Sequence, residues 1–266
     1  MPALKGAAVL ITGASSGIGE ATALAFARRR ARLALCARRL DRLQAVGERC
    51  RASGAAEVVT KKADVSRAPE ARGFVATAMQ HYDRVDVLVN NAGFGWRGRL
   101  ADLPEEEAQA LVATNLMAAI WTTQAALPEM LAAGSGVIVN VASVVGFRAM
   151  PYSAVYSASK HALVGLSHAL RGELSGTGVK VSVVYPGTTD TEFFRGEPPG
   201  GLMMHPASWV AAAIVRTARR PRRDVIVLPY RLAHLVEPLA GGLLDHVLGE
   251  ARRRQDPRLR DRSQGG

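Results

Sequence analysis

Short, nearly continuous apolar runs alternate with longer stretches of helical periodicity along most of this chain. That alternation constrains the fold more than any other feature. Val85-Asp86-Val87-Leu88-Val89 and Val137-Ile138-Val139-Asn140-Val141 lack the in-and-out alternation of a half-exposed strand. Such strands are covered on both faces, as in parallel sheets. Between the runs lie segments such as 17–30, where Ala21, Leu24, Ala25 and Phe26 make one apolar stripe. Alternating strand and helix imply βαβ units with right-handed crossovers. The predicted strands are 7–12, 32–37, 57–61, 85–90, 136–141, 179–185 and 225–228. The predicted helices are 17–30, 40–52, 69–81, 104–133, 154–176 and 206–219.

The expected fold class is α/β: a doubly wound, Rossmann-type parallel sheet of about seven strands with helices on both faces. A length of 266 residues suits one domain with a core large enough to enclose a cleft. We divide the chain into a dinucleotide-binding catalytic domain, 1–228, and an amphipathic helical extension with a basic tail, 229–266. The net charge of +11 raises nucleic acid as a partner. The excess is mostly arginine, scattered as Arg28-Arg29-Arg30, Arg219-Arg220 and Arg252-Arg253-Arg254, several at predicted helix ends where cations meet the negative end of the dipole. Without a zinc-finger spacing or stacking aromatics, no nucleic-acid role is expected. Two cysteines, Cys36 and Cys50, make no disulfide framework, and the first residues have no signal-peptide layout, so a reducing, cytoplasmic setting is expected. The stretch 111–131 contains Asn115, Thr122, Thr123 and Gln124 and reads as a buried helix, not a membrane span.

Ligands of doubly wound sheets bind outside the carboxyl ends of the strands, so the residues following each strand carry the functional weight. After the first strand, Gly13, Ser15, Ser16, Gly17, Ile18 and Gly19 form a glycine-rich turn that opens a helix. Such a turn brings backbone N–H groups close to a phosphate. After the second strand comes Ala37-Arg38-Arg39, where an NAD-preferring fold usually carries an acid for the ribose 2′-hydroxyl. Ala37 leaves room and Arg38 offers a cation to a 2′-phosphate, so NADP(H) is favoured over NAD(H); the plain alternative is that the arginines begin a solvated helix. Asp64 and Val65 follow the third strand, placed for an adenine edge, and Asn91, Ala92 and Gly93 follow the fourth. Asn115 is a poor choice inside a helix unless its amide bonds something specific. Ser143 follows the fifth strand, and Pro186, Gly187, Thr189 and Thr191 follow the sixth. Tyr156 and Lys160 lie four apart on one predicted helix face, where an ammonium would lower the pKa of a phenol. Alone, such a pair arises on many helices by chance.

Together these residues resemble the short-chain dehydrogenase/reductase family in its compact single-domain form. The motifs run in order: Thr12-Gly-X3-Gly-Ile-Gly19, Asn90-Asn-Ala-Gly93, Asn115, Ser143, Tyr156-X3-Lys160 and Pro186-Gly187. The resemblance covers about Lys5 to Leu228. It implies Tyr156 as general acid/base and Lys160 as its pKa-lowering neighbour and a hydrogen-bond donor to the nicotinamide ribose. It implies Ser143 as the group holding the substrate oxygen and Asn115 as the residue ordering a water that links Lys160 to solvent. No metal is needed. It also implies a homodimer or homotetramer paired through the helix 104–133 and the helix of Tyr156.

The expected reaction is hydride transfer between NADP(H) and a ketone or aldehyde–alcohol pair, on a small to medium apolar substrate. Alternatives are 3-oxoacyl thioester reduction in fatty acid synthesis and a catalytically silent, cofactor-binding regulator. The loop 188–206 carries Phe193, Phe194, Met203 and Met204, and Trp96, Phe147 and Met150 are candidates to border the same apolar pocket. Arg148 and Arg195 read as solvated. Gly196, Pro198, Pro199, Gly200 and Gly201 suggest a mobile lid. After Leu228 the chain departs from the family's usual glycine-rich ending. Leu232, Leu235, Val236, Leu239, Leu243, Val247 and Leu248 have amphipathic helical spacing instead. Three readings stay open for this extension: packing on its own domain or a second subunit, a cap over the substrate cleft, or a membrane-surface anchor.

Overall fold

Seven parallel strands hydrogen-bond in the order β3-β2-β1-β4-β5-β6-β7. They are β1 (Ala8–Thr12), β2 (Arg32–Ala37), β3 (Glu57–Lys62), β4 (Val87–Asn90), β5 (Gly136–Val141), β6 (Val179–Tyr185) and β7 (Asp224–Ile226). This computed structural model describes residues 4–189, 193, 204–226, 242 and 245–254. The helices are α1 (Gly17–Ala27), α2 (Leu40–Ala52), α3 (Ala68–Tyr82), α4 (Glu105–Val112), α5 (Ala118–Ala132), α6 (Ala154–Glu173) and α7 (Ala207–Arg219).

The apolar runs become two-faced strands because successive side chains point to opposite sides. Val9, Ile11, Leu33 and Leu35 share one core with Phe26, Leu43 and Ile214, under α1, α2 and α7. Ala8, Leu10, Leu88 and Ile138 share the other with Phe74, Met130 and Leu170, under α3, α5 and α6. Strand order reverses between β2-β1 and β4-β5, which opens the crevice at the carboxyl ends of β1 and β4.

Element boundaries differ from the sequence expectation where a side chain takes over a backbone role. β4 begins at Val87, two residues late, and the Asp86 carboxylate accepts the Ala8 N–H at 2.8 Å. α1 stops at Ala27, because Arg30 adopts a left-handed φ of 58° and its carbonyl accepts the Gly6 N–H. The predicted single helix 104–133 is two α-helices joined by a π-helical turn, Ala113–Met117, with Asn115 buried inside it. By length and composition Glu105–Ala132 could cross a membrane, and in this fold Ala118, Ala126 and Met130 on it are buried in the core beneath the sheet.

Candidate active site

Thr12, at the end of β1, organises the floor of the crevice. Its Oγ1 accepts the backbone N–H groups of Asn91 and Ala92, each at 3.0 Å. Asn91 Nδ2 reciprocates, donating to the carbonyls of Thr12 at 3.0 Å and Gly13 at 3.2 Å. The ends of β1 and β4 are thus pinned together. Gly13 has a φ of +67°, and a Cβ on Gly19 would lie 2.2 Å from the Gly13 carbonyl oxygen and 2.6 Å from Asn91 Nδ2. The third glycine is therefore required by the closeness of helix to turn. Gly19 does not line the cleft.

The cleft is one continuous cavity of about 550 Å³. Gly13, Ser15, Ser16, Gly17 and Ile18 border it after β1, and Arg38 after β2. Asp64 and Val65 border it after β3, Asn91, Ala92 and Gly93 after β4, and Ser143 after β5. Pro186, Gly187 and Thr189 do so after β6, with Tyr156 and Lys160 from α6. It therefore meets β3, β2, β1, β4, β5 and β6 in spatial order, a span of roughly 24 Å at the usual strand spacing. That length and the glycine cradle fit a dinucleotide lying across the sheet, with one end at Arg38 and Asp64 and the other at Ser143 and Tyr156. Thr191 lies outside the described residues.

Sequence reasoning undervalued several residues. Arg39 Nη2 donates to Ser16 Oγ at 2.8 Å, so it braces the phosphate turn and is not simply the start of a solvated helix. Its position beside Arg38 was the available signal. Phe94, Arg97 and Val145 line the cleft near the reacting groups, together with the expected Met150 and Phe193. The Phe193 ring meets Tyr156 edge-on, centroids 5.5 Å apart. Phe147 instead stacks on Tyr185 at 3.8 Å and does not line the cleft. The ion pair between Arg148 and Asp245 corrects the reading of Arg148 as solvated. Phe194, Arg195, Met203 and the glycine–proline segment 196–201 lie outside the described residues.

Asn115 sits behind the cleft. Its Oδ1 accepts the Phe94 N–H at 3.0 Å, and its Nδ2 donates to the Phe94 carbonyl at 3.0 Å and to Ser159 Oγ at 3.1 Å. The amide therefore clamps the loop after β4 to the helix carrying Tyr156. This explains an asparagine in a helix interior. Nearby, Asn90 Nδ2 donates to Asn140 Oδ1 at 2.9 Å, and Asn140 Nδ2 to Ser167 Oγ at 2.8 Å, so these buried amides are satisfied across β4, β5 and α6.

Ser143 caps the short 3₁₀ turn Val144–Gly146, its Oγ accepting the Val145 N–H at 3.3 Å. Burial pushes the Tyr156 phenol up to about 12, and a hydrogen bond with Ser143 and the charge of Arg97 act in the opposite sense. Burial pushes Lys160 down to about 8. Its Nζ donates to the Val141 carbonyl at 3.0 Å. Among the described residues, no group of His, Cys, Asp and Glu is arranged to hold a metal ion.

A doubly wound sheet with a glycine cradle and an apolar Ser–Tyr–Lys pocket at one end defines a dinucleotide-dependent oxidoreductase. The family profile described as short chain dehydrogenase matches residues 7–199, and this chain belongs to that family. A ketoacyl reductase from Nostoc is 36% identical over 234 residues, covering 85% of this chain and 80% of its own length. A glycine betaine reductase from Emericella nidulans is 37% identical over 229 residues; the match covers 82% of this chain but only 18% of that longer protein. Among solved structures, an alcohol dehydrogenase from Thermococcus sibiricus, complexed with 5-hydroxy-NADP, superposes with a TM-score of 0.76 at 32% identity, covering 82% of this chain and 94% of its own. A Burkholderia phymatum short-chain dehydrogenase/reductase in complex with NAD gives 0.83 at 26% identity, covering 91% and 96%. The family acts on alcohol and ketone groups with a nicotinamide cofactor.

Proposed function

We propose that this protein is an NADP(H)-dependent carbonyl reductase acting on ketones or aldehydes with an apolar body. The observation that carries the reading is one cleft holding both halves of the chemistry: Arg38, in an Ala37-Arg38-Arg39 turn that has no acid after β2, at one end, and Ser143 with Tyr156 at the other. Gly13, Ser15–Ile18, Asp64, Val65, Asn91–Gly93, Pro186, Gly187 and Thr189 would hold the dinucleotide, and Arg38 with Arg39 would meet its 2′-phosphate. Thr191 belongs to the same set by resemblance. When bound, the nicotinamide supplies or accepts the hydride.

The chain's own residues govern the proton and the charge. The Tyr156 Oη–H gives its proton to the substrate oxygen in reduction and takes it back in oxidation. Ser143 Oγ–H holds that oxygen as charge develops on it. Burial raises the Tyr156 phenol, so it is in its proton-bearing form at neutral pH. Lys160 would turn its ammonium toward the nicotinamide ribose, and Asn115 would order a water that links Lys160 to solvent. The walls Phe94, Val145, Met150 and Phe193, beside Arg97, favour a substrate with an apolar body. A homo-oligomer through α4–α5 and α6 accompanies this reading; sedimentation would measure it.

A second reading, 3-oxoacyl thioester reduction, draws on the Nostoc relative's name. A silent cofactor-binding regulator is the third; the Ser143, Tyr156 and Lys160 set speaks against it. The test is nucleotide oxidation with NADPH and NADH over ketones, aldehydes, quinones and acyl thioesters. The proposal expects turnover of apolar ketones or aldehydes with NADPH preferred, and Arg38→Asp reversing that preference. Turnover confined to acyl thioesters moves the protein to the second reading. No turnover on any member moves it to the third.

A further inference from the structure

The helical segment 245–254 lies on the candidate active site of its own chain. Leu248, Ala251 and Arg252 border the same cavity as Ser143 and Tyr156. They lie on one helix face, three to four residues apart. Two contacts fasten that face: the ion pair of Asp245 with Arg148, and a hydrogen bond from Arg253 Nη1 to Tyr152 Oη at 3.0 Å. Both anchors lie on the loop between Ser143 and Tyr156. Tyr152 itself is in the left-handed region, φ 62°, with its carbonyl accepting the Gly98 N–H at 3.0 Å. The anchoring loop is thus also tied to the segment that follows β4. Val247, at the edge of that face, stays 51% exposed.

We propose that this helix is the outer wall of the carbonyl pocket, and that Leu248 and Ala251 contact the substrate's apolar arm and select its size. Arg148, Tyr152, Asp245 and Arg253 are positioning residues. The preferred substrate is then a carbonyl compound whose apolar arm reaches from the reacting oxygen, past Phe94 and Met150, to the helix. This rests on the carbonyl reading of the site.

Two measurements on the full chain test it. In the first, Arg148→Cys and Asp245→Cys are combined and treated with a short bismaleimide, with NADPH present; the native Cys36 and Cys50 are buried. A bridge within one chain is expected. A bridge only between chains, or none, overturns the placement. In the second, kcat/KM is measured for short- and long-armed methyl ketones. Leu248→Trp is expected to lower the long-to-short ratio by roughly tenfold or more, mainly through KM, with the NADPH Kd held within about twofold. An unchanged ratio overturns the substrate contact. If the unaltered protein reduces no carbonyl at all, the carbonyl reading and the substrate clause fall together, while the bridge still decides where the helix sits.

Discussion

Burial pushes the Lys160 ammonium down from 10.5 to about 8, and the sign of that shift makes a prediction. The unfolded chain holds the proton more tightly, so burial opposes folding below pH 8, and the penalty disappears as pH rises toward 10.5. It amounts to about 3 kcal/mol. Lys160→Met should therefore raise the melting temperature of the cofactor-free protein at neutral pH by several degrees while abolishing turnover. The gain should shrink as pH approaches 10.5, in paired thermal melts. A Lys160→Met protein less stable than its parent at every pH would show that the Val141 hydrogen bond outweighs the buried charge. For Tyr156, pushed up to about 12, the unionised phenol persists through the neutral range. Ketone reduction should stay level there, while alcohol oxidation, which needs the phenolate, should rise with pH. Parallel initial-rate profiles in the two directions check this.

At the scale of elements, the joints between strand ends and helices hold the site together. Asn115 makes three hydrogen bonds from within the π-helical turn. Asn115→Ala leaves the Phe94 N–H and carbonyl buried without these partners, which should cost about 2–4 kcal/mol and lower the melting temperature by roughly 5–15 °C. Turnover should fall as the Tyr156 helix loses its tie to the loop after β4. Gly19→Ala should lose NADPH binding, measured by fluorescence, because a methyl there meets the Gly13 carbonyl and Asn91. The sequence showed strands and helices well, since both periodicities are set by burial of an apolar face. It did not show the break in the long helix: a π turn arises from one side chain's tertiary bonds, which leave no periodic trace. Tyr156, Ser143 and the glycine turn were legible because each follows or faces a strand end. Arg39 and Arg97 were not, since an arginine in a loop reads alike whether it is solvated or turned into a cleft.

For the whole molecule, the cleft crosses six strand ends, so a dinucleotide bound along it would tie both halves of the sheet together. A ligand that binds only the native state stabilises it by about 2.7 kcal/mol at a hundredfold excess over its Kd. NADPH should therefore raise the melting temperature more than NADH at equal concentration, and Arg38→Asp should reverse that order. The C-terminal helix was the least legible part. Its apolar spacing suits a cleft wall, a subunit interface or a membrane surface equally. The Asp245–Arg148 and Arg253–Tyr152 contacts, far apart in sequence, are what attach it to the site.

The most direct measurement is single-turnover NADPH oxidation by a ketone on the unaltered protein and on Tyr156→Phe, at saturating cofactor. The phenylalanine ring keeps the packing and removes the proton. The rate should fall by roughly a hundredfold or more, with the NADPH Kd changed by no more than about threefold. A Tyr156→Phe protein that turned over at the full rate would contradict the assignment of the proton to Tyr156.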